Sequence, residues 1–424
     1  MATDGNASKG EGVAAGRTRR FRRWQRADPS LRRALFPLAF GYAAYGGFWG
    51  AWAVVLADYL AMRDLSLSAV GGLFAVTSIT AIATMAFIGG RAVQVARPPA
   101  LAAAFLVTAV AGLWVGLATG LLLLPAFALL GVGIGMIDVL VNLVGAELEA
   151  AAERPVLQLV HASYGAGGAV AAVLAALATN AGWSPGAVLG GVSAGEALAA
   201  VLAVTLLRRE APAQTKAPVP GLAVGVLRHR ADLRAVAVIV LCAFFVEGSM
   251  DAWSVLFVRA DLGGPVLGAA LAFAAFASAI TVGRLFAARV LFRFGHQRTL
   301  VVSAVGSVGA GTLMVSAPTP QVAGLAFLML GFFLSVAAPA AFGKAGAGAD
   351  HSAGMAIAAV TTVGYGGFVV GPPIMGWIGD RLGLRAALLV LVLAPLCMLL
   401  ATVRAGRLDQ VSGTASTAAG EPSR

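Results

Sequence analysis

Long apolar runs separated by short polar breaks set the pattern of this chain. Runs of about 20 residues, enough to cross a hydrocarbon core of ~30 Å as helix, fall near 35–58, 68–90, 99–118, 121–146, 156–179 and 186–207. A polar stretch bearing Pro212, Pro218 and Pro220 interrupts them, and further runs follow near 235–258, 266–288, 299–317, 320–343, 353–378 and 385–404. The pattern predicts an all-α polytopic membrane protein with 12 transmembrane helices in two six-helix, pseudo-symmetric halves. It divides the chain into a disordered basic tail (1–33), an N-terminal half (34–207), a linker (208–234), a C-terminal half (235–404) and a second tail (405–424).

The halves repeat each other. Sliding the second back by 198 to 201 positions lays Gly47 on Gly248, Trp52 on Trp253, Arg91 on Arg289 and Leu130-Gly131 on Leu330-Gly331. Gly165, Gly167 and Gly168 then lie over Gly364, Gly366 and Gly367. A nearly constant offset over four helix pairs argues for a duplicated six-helix unit.

Composition fits this picture: 59% of residues are hydrophobic, 12% are charged and the mean hydropathy is +0.88. A net charge of +11 in a soluble chain would point to nucleic acid, but here the basic residues flank the spans and orient them. With the N-terminus inside, Lys and Arg number 26 on the inner side, and only Arg63, Arg259, Arg381 and Arg385 lie outside. Both termini and the linker are therefore expected on the cytoplasmic side of a bacterial plasma (inner) membrane. Glu147, Glu149 and Glu153 make the loop after the fourth span an acidic exception. The basic segment Thr18–Arg26 is read as an anchor rather than an export signal, since no short apolar region with a cleavage site follows. Cys242 and Cys397 sit in apolar spans without metal or redox spacing and are assigned to packing.

The chain is organised around residues 131–168. Gly131, Gly135, Asp138, Asn142 and Gly145 share one helical face, and His161, Gly165 and Gly168 share another on the next span. A carboxylate at the bilayer centre costs about 2.5–3.5 kcal/mol even on a lenient scale, so Asp138 is expected to face a protein interior or a wet cavity. His161 lies about 8 Å inside its helix, close to the depth of Asn142.

The other ionisable residues within spans are Glu196, Glu247 and Asp251. Glu247 and Asp251 stand one turn apart, where two carboxylates repel in low dielectric, and this marks them for proton exchange. Asp251 has a structural alternative, pairing with Arg259 at the interface. Proton-coupling candidates are thus Asp138, Glu247, Asp251, His161 and Glu196. Tyr42, Tyr45, Trp49 and Trp52 form an aromatic stripe at helical spacing. With Asn142, Trp253 and Tyr365, the first three make up the expected substrate cavity. Arg91, Arg284, Arg289 and Arg293, at or near basic loops, are gating candidates. Pro372-Pro373 is expected to kink its span.

Enzyme signatures fail on context. The G-x-S-x-G match at Gly191–Gly195 lies in an apolar span rather than after a strand, and there is no phosphate-binding P-loop. No catalytic residue, metal or cofactor is expected.

Twelve spans in two halves, with basic loops after the second and eighth, resemble the major facilitator superfamily over about residues 34–404. Within it, IDVLVN (137–142), HASYGAGG (161–168) and EGSMDAW (247–253) resemble the fucose-permease-like branch and its bacterial relatives. That resemblance implies alternating access with proton coupling, with Asp138 where the sugar symporters carry a fourth-helix acid. The superfamily loop signature G-x-x-x-D-R-x-G-x-R lacks its Asp after the second span, and Ala288 takes the usual Asp place before Arg289. Its full match, Gly376 to Arg385, falls in a loop read as external. The expected function is secondary transport of a small organic solute, with sugar-like uptake by symport favoured over export of drugs or metabolites; a sensor or an intramembrane enzyme fits less well. The expected partners are solute, protons and lipid, with no nucleic acid, and the expected state is a monomer.

Overall fold

In lipid a spanning segment must satisfy its own backbone N–H and C=O groups, and a helix does so without a partner. The computed structural model, which describes residues 29–89, 96–152, 156–207, 224–347 and 353–419, is helical in nearly all of them, and no strand occurs among the described residues. The first half comprises α1 (Pro29–Arg63), α2 (Leu67–Gly89), α3 (Arg97–Leu117), α4 (Leu123–Ala152), α5 (Val156–Asn180) and α6 (Pro185–Leu206). The second comprises α7 (Ala231–Ala260), α8 (Val266–Val315), α9 (Pro320–Leu334), α10 (Ala337–Ala347), α11 (Ala353–Leu382), α12 (Leu384–Ala387) and α13 (Val390–Ala419).

Ten helical stretches among the described residues are long and apolar enough to cross a bilayer. One of them, the 50-residue α8, holds the eighth and ninth spans, joined where Gly295 leaves helical geometry at φ 74°, ψ 166°. A twelfth span is α1, whose apolarity is lowered by Tyr42, Tyr45, Trp49 and four glycines. It needs fewer aliphatic residues because Ala51 to Leu56 are buried by protein rather than facing lipid. The twelve-helix architecture is thus present. The tenth span is divided into α9 and α10, while α11 runs as one helix through Pro372 and Pro373. Most of the linker and of the N-terminal tail lies outside the described residues, and α13 stays helical to Ala419, beyond the expected end of its span.

Glycine seams build each half. On α1, Gly46 faces the Tyr164 carbonyl and Gly50 the Gly168 carbonyl, while Gly167 of α5 faces the Ala43 carbonyl; a Cβ at any of them would overlap backbone. The same construction joins α7 and α11, with Gly367 against the Leu241 carbonyl and Gly371 against the Phe245 carbonyl. Between halves, α5 packs on α8, α2 on α11 and α1 on α7. These contacts are related as a pseudo-two-fold repeat requires, since α5 corresponds to α11 and α2 to the first limb of α8.

The exceptions to the charge pattern that fall among the described residues are engaged, Glu153 lying outside them. Arg63 donates to the Gly116 and Ala118 carbonyls at 2.6 and 2.9 Å, and Arg385 to the Val315 and Ala317 carbonyls at 2.7 and 3.1 Å. Arg381 lies 4.3 Å over the Trp377 ring, and Arg259 pairs with Asp58 at 2.9 Å. Among the acids, Glu147 pairs with Arg97 at 2.8 Å and Glu149 accepts the Leu157 N–H, at the start of α5, at 3.0 Å.

Candidate functional site

The α4 face that carries Asp138 is positioned by its glycines. Gly131 lies on Thr77 and Thr80 of α2, and Gly135 on Ala81 and Thr84, so α4 sits close against α2. Asp138 and Asn142 are left half-buried. Asn142 Nδ2 donates to the Asp138 backbone carbonyl at 2.7 Å, which fixes the amide and turns Oδ1 toward α5. There His161 Nε2 lies 3.1 Å from Asn142 Oδ1 and acts as the donor. The Asp138 carboxylate itself makes no hydrogen bond or ion pair among the described residues. It is within electrostatic reach of Tyr42, Tyr45 and Tyr365.

An aromatic wall stands beside these groups. Tyr42 meets His161 edge-on at 5.3 Å, and the Tyr42, Tyr45 and Tyr164 rings lie 5.4 to 5.7 Å apart. Tyr164 was not among the sequence candidates, yet it follows His161 by three positions on the same helical face, a spacing that marks it. From the other half, Tyr365 packs near Phe244 and Phe368 at 5.8 and 6.1 Å. Phe244 precedes Glu247 by three positions, so the same spacing was available there.

The second half contributes a different electrostatic group. Arg284 Nη2 donates to Glu247 Oε2 at 2.6 Å, with side chains 30% and 11% exposed, so the pair is largely removed from solvent. Arg284 therefore stands inside helix α8 against α7, and this corrects its placement at a basic loop: the stretch is helical up to Gly295, with Arg289 and Arg293 about one and a half and two and a half turns further along the same helix. Arg284 is also within electrostatic reach of Asp251, His161, Tyr42 and Tyr365, which connects the two halves across the site. Asp251 does not pair with Arg259, whose guanidinium is taken by Asp58 of α1 through both oxygens at 2.9 Å.

Other candidates lie elsewhere. Trp253 is fully buried and donates from Nε1 to the Pro372 carbonyl at 3.2 Å, so it belongs to the α7–α11 seam rather than to an open wall. Trp49 is half-buried and leans on Phe74 of α2 at 6.1 Å. Glu196 is fully buried in α6, and neither carboxyl oxygen has a hydrogen-bond partner. Arg289 and Arg293 are exposed, each over a phenylalanine ring, Phe286 and Phe294 respectively. Arg91 lies outside the described residues. No cluster able to hold a metal occurs among the described residues.

A polar, aromatic site fed by both halves of a duplicated bundle is the plan of a solute carrier, and the sequence profile of the Major Facilitator Superfamily matches residues 38–372. The chain belongs to the major facilitator superfamily. Its membership makes it a transporter rather than an enzyme. An uncharacterised transporter of Sinorhizobium fredii is 28% identical over 400 residues, covering 86% of this chain and 99% of that protein. An uncharacterised major-facilitator-type transporter of Yersinia pestis is 27% identical over 262 residues, 62% of this chain and 67% of its own length. The fold is shared with the nucleoside transporter NupG in its D323A form, at TM-score 0.73 and 13% identity over 88% of this chain and 99% of that one. It is shared equally with a bacterial homologue of the human lysosomal transporter Spinster, inward-facing and unoccupied, at TM-score 0.72 and 14% identity over 90% and 98%.

Proposed function

We propose that this superfamily member is a proton-coupled secondary transporter working by alternating access, and that it takes up a small polar, sugar-like solute. The observation that carries this reading is the unpaired Asp138 carboxylate beside the tyrosine wall. The acids of the second half are engaged, Glu247 held by Arg284 and Asp251 facing both, while Glu196, also without a partner, is sealed inside α6 and Asp138 is only half-buried. An acid that no fixed cation neutralises is the one free to change protonation as the cavity opens to each side in turn. Asn142, His161 and the tyrosine hydroxyls supply donors and acceptors for a polyhydroxylated solute, and the ring faces supply stacking area.

In this reading the halves over 34–207 and 235–404 rock about the site as bodies. Glu247 and Arg284 position the C-terminal wall, and Asp251, His161 and Glu196 are secondary protonation sites. Arg289 and Arg293, with Arg91, act at the cytoplasmic gate. The protein resides as a monomer in a bacterial plasma membrane with both termini inside, as the charge asymmetry argues. Export of an apolar compound is the second reading, favoured by the Phe244–Phe368–Tyr365 patch.

The test is uptake of a solute panel into proteoliposomes with and without an inward proton gradient. Asp138→Asn keeps the shape of the side chain but removes the charge change. Uphill accumulation is expected to fall at least about tenfold while counterflow survives. Normal proton-driven accumulation by the variant would remove Asp138 from the mechanism.

A further inference from the structure

The loop signature that resembles the superfamily's gating motif stands at the far end of α11, in Gly376–Arg385, away from the basic loops where that motif is usual. Its arginines are spent on its own half. Arg385 ties the segment to the Val315 and Ala317 carbonyls at the end of α8, and Arg381 folds back on Trp377. Gly383, at φ 85°, makes the turn into α12. Asp380 is left to reach across to the other half, where it accepts the Leu67 N–H at 3.1 Å. Leu67 is the first residue of α2, whose first-turn N–H groups have no partner within the helix. Ser66 caps the Ala69 N–H from the same chain segment at 3.1 Å, whereas the Leu67 N–H is capped from the opposite half.

The approach that allows this is made by glycine. A Cβ on Gly376 would lie 2.5 Å from the Leu67 carbonyl oxygen, and one on Gly71 would lie 3.2 Å from Pro373. A second link stands beside it, the two-oxygen pairing of Arg259 on α7 with Asp58 on α1, with Arg259 also donating to the Val54 carbonyl at 3.2 Å. Of the four ion pairs among the described residues, this alone joins the halves; Arg97–Glu147, Arg230–Asp232 and Arg284–Glu247 each stay within one. Polar links between halves thus gather at the end of the molecule that carries the α1–α2 and α11–α12 turns.

We propose that Asp380 is a positioning residue of the transport cycle: with the Arg259–Asp58 pair it latches this end shut, and its release from α2 lets the end open. The latch acts through the first turn of α2 and touches no solute. It rests on alternating access as proposed above, but on neither proton coupling nor the identity of the solute.

The experiment uses the full chain in lipid nanodiscs, with Cys242 and Cys397 replaced by Ser and spin labels at cysteines placed for Ala61 and Ala260, exposed positions near the ends of α1 and α7. Pulsed dipolar spectroscopy then reads the distance between halves. The parent is expected to populate mainly the short distance. Asp380→Asn should raise the long-distance fraction about two- to fivefold, the range for one charge at a helix N-terminus. Gly376→Ala should raise it further, since the new methyl group meets the Leu67 carbonyl. Exchanging the charges, Asp58→Arg with Arg259→Asp, should return the ratio toward the parent's after either single change has shifted it. A distribution unchanged in both Asp380→Asn and Gly376→Ala overturns the latch, as does a lowered melting temperature with no change in distances. A shift in Asp380→Asn alongside normal proton-driven accumulation by Asp138→Asn would instead remove Asp138 from the coupling and leave the latch standing.

Discussion

The two halves share a scaffold and differ in chemistry. In each, one helix lies on its partner through glycines that meet backbone carbonyls, Gly46, Gly50 and Gly167 in the α1–α5 seam, Gly367 and Gly371 in the α7–α11 seam. Yet the N-terminal half offers the site a neutral hydrogen-bonded pair, Asn142 with His161, and a lone acid, Asp138. The C-terminal half offers an ion pair, Glu247 with Arg284. Duplication preserved what packing requires, because a seam of this closeness tolerates no side chain at its contact points. Side chains at the site carried no such constraint and diverged into a wall with an unpaired acid and one with an ion pair.

That contrast can be broken most strongly on the charged side. Arg284→Ala leaves Glu247 without its cation, and loss of one partner of a buried pair costs ~3–5 kcal/mol. With the Arg284 side chain 30% exposed, the low end is expected. Reversible unfolding in sodium dodecyl sulfate would measure it, and adding Glu247→Leu should recover most of the loss. If the double variant is no more stable than the single one, the pair does not govern this wall. Next come the seams, where Gly167→Ala and Gly367→Ala should each cost about 1–3 kcal/mol through overpacking. Gly72→Ala, with open space around it, should cost nothing by the same assay. A large difference between the two seam variants would show that the scaffold is less symmetric than its contacts. The smallest effect belongs to the neutral pair: Asn142→Ala removes one side-chain hydrogen bond to His161 and should cost about 1 kcal/mol.

The parts legible in the sequence were those with a period or an outlier. Span lengths, the two-fold repeat and the polar face of α4 follow from apolar run length and helical spacing, and the depth argument places Asn142 beside His161. What the sequence could not supply was pairing between distant helices. Arg259 stands near Asp251 in sequence and was read as its possible partner, but α1 packs on α7 and brings Asp58 to it instead. Arg284 lies in a continuous basic stretch, and only the packing of α8 on α7 separates it from Arg289 and Arg293. Trp253 looked like the cavity counterpart of the aromatic stripe, whereas the α11 backbone covers it. Tyr164 and Phe244 were within reach of the three-residue spacing rule, since each stands one turn from a residue already singled out.

Gly295 joins the two limbs of α8 alone, with no loop between them. Most neighbouring spans are hinged by several residues that can absorb a change of angle, but here the eighth and ninth spans form a bracket with a one-residue elbow. Nothing packs within 4 Å of where a side chain would project there, so the backbone turns at φ 74° in open space, while Gln297 just beyond it donates to the Thr402 carbonyl at 2.8 Å and ties the second limb to α13. A bracket of this kind transmits displacement. In the alternating access proposed above, movement of α8 against α5 would carry with it the ninth span and the α13 helix packed on α8.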